Sequence, residues 1–434
     1  MILEDLSLAQ ARSAIRAGSL SPVQYVAALF ARMDRVEPRV HAWVTVDRDA
    51  VFAEAAEREA EAQRKQFRGP LHGIPVGIKD IFYTKNLRTT MCSPVFDDFV
   101  PKEDAWAVAR LKEAGAVVMG KCVTTMFANL DPGPTRNPWN LAHTPGGSSS
   151  GSAAAVAARM CPAAIGSQTL GSVGRPAAFN GIASLVPTQK RISRRGVFPL
   201  AWSLDHVGVF GREVDDLELM FSAMTDVSIQ KPAARRSICI GIIRDFFYEK
   251  ASPETRLHCD RLAGKIASSG ARVDVAQLPG IFSAANSALQ IIVQAEAASV
   301  HEHLFATHSK TYASKIRTVI DAGMRVSATD YRRAQRTRGK YQRDMARLFE
   351  KFDVLMTPAA PGTAPEGLAT TGDPVMNAPW TLADFPTVTL PFALGGNGLP
   401  LAVQLSAAPM QEGTLLQAAK AVETLVAFRT KPNL

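Results

Sequence analysis

The chain of 434 residues lacks any apolar run near the roughly 20 residues that a membrane-spanning helix requires. Its Ala-rich stretch from Ala153 is broken by Arg159. The first residues, Met1-Ile2-Leu3-Glu4-Asp5, turn acidic at once, which does not suit a signal peptide. Cysteine is scarce: Cys92, Cys122, Cys161, Cys239 and Cys259 are odd in number and scattered, with no CxxC pair. That pattern excludes a disulfide scaffold and a thiolate zinc framework, and it implies reduced thiols in a cytoplasmic protein. No internal repeat and no linker interrupts the chain.

What is present is ordinary for a globular protein: 47% hydrophobic and 21% charged residues, at a mean hydropathy of zero. Disorder, collagen and coiled coil are excluded for the bulk of it. The net charge is +9. Such a balance leaves nucleic acid, an anionic membrane or an acidic substrate as partners, beside the simpler reading of a solvated basic face. Length alone, at about 150 residues per domain, suggests about three domains.

Periodicity suggests otherwise. Residues 6–60 read as helices, with Ser21 as N-cap and Pro22 at the first helical position of a run to about Met33, and a second helix over 50–66. Residues 73–78 read as a buried strand ending at Lys79-Asp80. A helix follows over 104–115, then a strand over 116–120. Further strands fall at 237–243, 271–275, 353–357 and 387–390, with a helix over 252–269 and a mostly helical stretch over 285–350. This alternation predicts a layered α/β fold. Strands spread over nearly the whole chain favour one large sheet over three separate units. The helix from about Asp330 carries Arg332, Arg333, Arg336, Arg338, Lys340, Arg343 and Arg347 around several faces, which fits a solvated helix better than a nucleic-acid helix.

Chemistry concentrates in 145–176, where Gly, Ser and Ala make up 19 of 32 residues. Small residues let backbones approach closely, and consecutive N–H groups in such loops can converge on an oxyanion. Gly166-x-x-x-x-Gly171 has phosphate-loop spacing but continues with Ser172 where a lysine is required. Gly147-Ser148-Ser149-Ser150-Gly151 fits GxSxG, yet the preceding 137–145 is turn-like and not the strand that a nucleophile elbow needs. A pair of serines served by a lysine is the third reading.

The segment resembles the amidase signature family. The family's Gly-Gly-Ser-Ser-Gly-Gly-Ser block matches 146–152, and its downstream Gly-Gly-Ser-Ile/Val block matches 170–177. Gly-Ile-Pro-Val-x-x-Lys-Asp stands at 73–80, Ser-Leu-Asp-x-x-Gly at 203–208, and Gly-Leu-Pro-Leu-Ala-Val-Gln at 398–404 with Ala402 for a Gly. The resemblance implies an α/β fold with a large mixed, mostly parallel central sheet covered by helices on both faces. It implies one amidase domain over 1–434, a signature core over 65–215, and a more variable, helix-rich, substrate-side region over 216–350. It further implies a triad of Ser172 as nucleophile, Ser148 as bridging serine in a cis peptide, and Lys79 as base. Thr169, Leu170, Gly171 and Ser172 would supply the oxyanion hole.

Three positions depart from the commonest family pattern. Leu170 replaces a Gly, and would be strained if its position needs positive φ. Gln168 replaces a frequent Asp, and Arg175 follows the nucleophile by three residues. The last two resemble the malonamidase branch, as do 149–155, 202–210, 371–374 and 380–382. In that branch the Arg at the position of Arg175 binds the substrate's carboxylate, a task its bidentate fork suits. Gln168 and Thr169 stand beside it as substrate-binding candidates. The expected activity is cleavage of a small carboxylate-bearing amide such as malonamate, with release of ammonia. The rivals are the A subunit of a tRNA-dependent amidotransferase, other substrates of the same chemistry (carboxylated ureas, aryl amides), and an inactive member. The triad needs no metal or cofactor, and no membrane or nucleic-acid partner is expected; a homodimer stays open. His301, His303 and His308 read as helix surface, Asp205 as structural, and Trp202, Trp380 and Phe127 as core or pocket wall.

Overall fold

The computed structural model describes residues 2–230 and 237–434. The stretch 231–236, inside the region expected to be variable, lies outside the described residues. Eleven strands form one sheet: β1 (Trp43–Thr45), β2 (Pro75–Lys79), β3 (Val117–Cys122), β4 (Ala163–Gln168), β5 (Ala183–Val186), β6 (His206–Gly211), β7 (Cys239–Ile243), β8 (Arg272–Ala276), β9 (Val354–Pro358), β10 (Thr387–Leu394) and β11 (Pro400–Ser406). Their spatial order is β1-β3-β2-β4-β6-β5-β10-β11-β9-β7-β8. Helices flank this mixed sheet, which is the α/β architecture expected.

The predominance of parallel pairs is corrected. Among the described residues β2–β3, β2–β4, β7–β8 and β7–β9 are parallel. The other six pairings are antiparallel. The middle of the sheet contains the tight β10–β11 hairpin, and a pair joined by a short loop needs no crossover helix.

Most strand interiors are buried on both faces, as in β2, β3, β4 and β6. They therefore read as continuous apolar or small-residue runs without alternation. The helix at Pro22–Val40 begins as expected, with a capping box between Ser21 and Gln24 and Pro22 in its first turn. It runs seven residues past Met33, tolerating Pro38.

Two features place the site. β2 and β4 are parallel neighbours, with Ile78 opposite Ile165. Their carboxyl ends, Lys79 and Gln168, therefore emerge on one edge, where open α/β sheets bind ligands. Against them packs the helix Ser150–Ala157, buried at every residue. Only small side chains allow that approach: a Cβ on Gly151 would lie 2.2 Å from the Ala42 carbonyl oxygen.

Candidate active site

Lys79 closes β2 and is fully buried, as is Ser148. Lys79 Nζ lies 2.7 Å from Ser148 Oγ, 2.8 Å from Ser167 Oγ and 3.4 Å from the Ser167 carbonyl oxygen. Burial holds its pKa well below the usual lysine value, against a smaller upward pull from Asp205. A neutral amine has two N–H donors and one lone pair. The Ser167 carbonyl can only accept, so the two N–H groups suit the two Ser167 oxygens. The lone pair is then left for the Ser148 hydroxyl.

The serine block is stitched to its surroundings. The Gly147–Ser148 peptide bond is cis. The Ser148 carbonyl accepts from Thr125 N at 3.2 Å, and Ser149 N donates to the Ser172 carbonyl at 3.4 Å. Ser149 Oγ donates to the Ser167 carbonyl at 3.2 Å, and Ser152 Oγ to the Ile165 carbonyl at 3.0 Å. Gly146, at φ +79°, has Pro176 Cα 2.9 Å from where a Cβ would sit.

Ser172 is slightly exposed, at 8%. Among the described residues its Oγ has no hydrogen-bond partner, and no bond joins it to Ser148 Oγ. The backbone N–H groups of Leu170, Gly171 and Ser172 likewise donate to no protein acceptor among the described residues. Three consecutive unspent donors beside a free hydroxyl are unusual in a packed interior, where such groups are nearly always paired. Leu170 lies outside the left-handed region, so the strain expected of it there is absent. Its side chain packs against the apolar cluster around Trp380.

Gln168, a substrate-binding candidate, is bonded to the loop. Its Oε1 accepts from Val173 N and Gly174 N at 3.0 Å each, and its Nε2 donates to Thr381 Oγ1 at 3.0 Å. Thr169 Oγ1 donates to Asp205 Oδ1 at 2.6 Å. Asp205 also accepts from Leu200 N and Ala201 N. Burial pushes the Asp205 pKa up, against those hydrogen bonds. Arg175 is 1% exposed. It donates to the Gly372 carbonyl (2.9 Å), the Gly147 carbonyl (2.7 Å) and Thr371 Oγ1 (3.1 Å). Its fork thus grips the residue preceding Ser148, and burial lowers its pKa to about 10.

Two expectations are corrected. His301 is fully buried, with its ring Nδ1 3.0 Å from Tyr312 OH and burial lowering its pKa to about 4; His303 and His308 are exposed. Arg338 is buried too, donating to the Leu382 carbonyl and Ser203 Oγ. The other cations of its helix remain wholly or partly exposed. Sequence reasoning missed Ser167, Thr381 and Asn377, the last packed against Gly171 and donating from Nδ2 to Gln404 Oε1 at 2.9 Å. Ser167 carries one signal, its place on the strand that leads into the 169–172 loop. Among the described residues no group of three or more His, Cys, Asp or Glu side chains could hold a metal, and no helix is long and apolar enough to cross a membrane.

The fold is a mixed α/β sheet that carries a buried lysine and serines at one edge. Comparison with known proteins gives the family, since the amidase profile matches residues 24–416. The chain belongs to the amidase signature family, hydrolases of amide C–N bonds. It is 34% identical to the A subunit of the glutamyl-tRNA(Gln) amidotransferase of Geobacter metallireducens, over 99% of both chains. That alignment spans 484 positions, more than this chain has, so the relative carries segments missing here. A structure from work on a vestigial protein complex and the origins of an s-triazine catabolic enzyme superposes with a TM-score of 0.90 at 28% identity, covering 99% of this chain and all of the other. The peptide amidase of Stenotrophomonas maltophilia superposes with 0.85 at 27%, covering 98% of each.

Proposed function

We propose that this protein hydrolyses a small carboxylate-bearing amide, with Lys79 as base, Ser148 as relay and Ser172 as nucleophile. The observation that carries it is the buried amine of Lys79, 2.7 Å from Ser148 Oγ. Lys79 draws the Ser148 proton, and Ser148 draws that of Ser172 as its Oγ attacks the amide carbon. The free N–H groups of the 169–172 loop receive the oxyanion; losing one such donor elsewhere costs about 2.7–4 kcal/mol. The proton returns through Ser148 to the leaving nitrogen, ammonia departs, and water clears the acyl-enzyme along the same relay.

The finer substrate reading, malonamate and the malonamidase branch, rests on the Gln168 and Arg175 pattern. The packing of both residues weakens it, because their side-chain bonds go to the loop. A second reading is the amide-splitting A subunit of a tRNA-dependent amidotransferase. The Geobacter relative favours it more than any finding favours malonamate. Glutamine also carries a carboxylate, so the two readings share one chemistry.

The deciding experiment incubates the purified chain with malonamate, glutamine and propionamide and measures ammonia, with Ser172→Ala as control. Ammonia from malonamate by the chain alone supports the first reading. Ammonia from glutamine only after a partner protein is added supports the second. Silence on every amide, with no labelling of Ser172 by a fluorophosphonate, overturns the triad.

A further inference from the structure

A cleft of about 480 Å³ opens on Ser167 and Thr169, whose hydroxyls lie on Lys79 and Asp205. Its outer wall is the segment 190–202, and that wall is basic: Lys190, Arg194 and Arg195 all line it. Among the described residues none of the three takes part in an ion pair. Some other surface cations do find carboxylates, as Arg68 finds Glu57 and Glu61 and Lys420 finds Asp215; what distinguishes these three is that they line one cleft together. One acid among the described residues lines the cleft: Asp205, which accepts from Thr169 Oγ1, Leu200 N and Ala201 N and whose pKa burial pushes up against those bonds and a pull from Arg194.

The wall is held in place. Val197 bridges to Phe82 beside the catalytic strand. Gln189 Nε2 donates to the Ser203 carbonyl at 2.7 Å, and Ser203 N donates to the buried Glu296 at 2.8 Å. Arg194 donates to the Trp202 carbonyl. Trp202, 43% exposed, adds an apolar surface at the mouth. Three cations without an ion pair among the described residues, of which Arg194 alone feels the buried Asp205, stand on an anchored wall and focus a positive field where a substrate would enter.

We infer that this cleft is an anion subsite that receives the substrate's carboxylate through Arg194, Lys190 and Arg195. The inference deepens the reading of the protein as an amidase for carboxylate-bearing amides and rests on it. Arg175, whose two terminal nitrogens bond Gly147, Gly372 and Thr371 while its Nε is left without a partner among the described residues, then acts as a brace for the serine loop.

Two readouts test it. The first is equilibrium binding of malonate to Ser172→Ala, by calorimetry, which needs no turnover. Adding Lys190→Gln and Arg195→Gln together is the fold-safe change, since neither side chain makes a hydrogen bond among the described residues; Arg194→Gln is the stronger one. We expect malonate to bind about ten- to a hundredfold more weakly in each, the size of one or two charge-assisted contacts, and to weaken with salt in the parent. The second is the ratio of kcat/KM for malonamate to that for propionamide, expected to fall at least tenfold in the same variants. Unchanged malonate binding, or a loss confined to Arg175→Met, overturns the subsite. An enzyme silent on all amides whose malonate binding still falls with these variants leaves the subsite standing and removes only the reaction.

Discussion

At the scale of single residues, the proposed mechanism turns on the protonation of Lys79. An exposed lysine keeps its proton to a pKa of about 10.4 and cannot act as a base at neutral pH. Burial reverses the preference, and the drop is large because no carboxylate touches Nζ directly. The active form is the neutral amine, so kcat/KM should rise with pH along an acid limb and level off well below the ordinary lysine range. Lys79→Ala should lose about 10²–10⁴-fold in rate, the usual worth of a positioned base, and should lose that limb with it. A pH–rate profile of both proteins decides the matter; an unchanged limb in the variant would assign it elsewhere. Gln168 gives a second prediction. Gln168→Ala strands two buried N–H groups, of Val173 and Gly174, at about 1–3 kcal/mol each. Its kcat/KM should fall at least tenfold. Gln168→Glu, which keeps the acceptor, should recover most of that loss, and assay of the pair separates loop positioning from substrate contact.

At the scale of elements, the loop 169–172 is shaped by what lies behind it. A Cβ on Gly171 would meet Asn377 Oδ1 at 2.8 Å and Pro374 Cβ at 3.0 Å. Gly171→Ala must therefore displace either the loop or the 374–377 turn. We expect kcat to drop at least tenfold with KM nearly constant, as befits damage felt mainly in the transition state; steady-state kinetics on any accepted amide reads it. How much of this was legible in advance follows from the same geometry. Lys79, Ser148 and Ser172 stand in blocks whose order and spacing are visible in one dimension. Ser167 and Asn377 are not, because what recruits them is sheet pairing and packing between segments far apart in the chain. Arg175 was visible as a cation near the nucleophile, but which carbonyls its fork would grip depends on residues 371–372. Strands β1, β4, β5 and β6 also escaped pattern reading, although Asn180-Gly181 and Pro187 bound β5. The mostly parallel sheet was implied by the resemblance, and the strand runs themselves could not check it, since they report burial on two faces without reporting strand direction. His301 was misplaced for a related reason: one polar residue on a long helix does not reveal which face the neighbouring Phe127 and Tyr312 will cover.

At the scale of the whole molecule, a buried carboxyl ties the helix Leu8–Ala17 to the segment that opens the helix Val214–Ala223. Asp216 is fully buried. Its Oδ1 accepts from Ala9 N at 3.0 Å, and its Oδ2 accepts from Arg212 N at 2.9 Å and Glu213 N at 3.2 Å. It thereby docks the helix Leu8–Ala17 against the helix Val214–Ala223. Burial outweighs those hydrogen bonds and pushes its pKa up to about 6 from the ordinary 3.8. The folded state therefore holds this proton more tightly than the unfolded chain. By linkage, the stability that Asp216 contributes is fully present below the unfolded value and is lost as pH rises through about 6. Urea midpoints of the wild type and Asp216→Asn at pH 4, 5, 6 and 7 isolate this group, since every other titration is common to both. The variant should be less stable throughout, because an amide nitrogen facing Arg212 N and Glu213 N cannot accept from them. The gap between the two proteins should be widest at pH 4 and shrink by pH 7. A gap that instead widens with pH would mean that the three N–H groups, and not burial, govern this carboxyl.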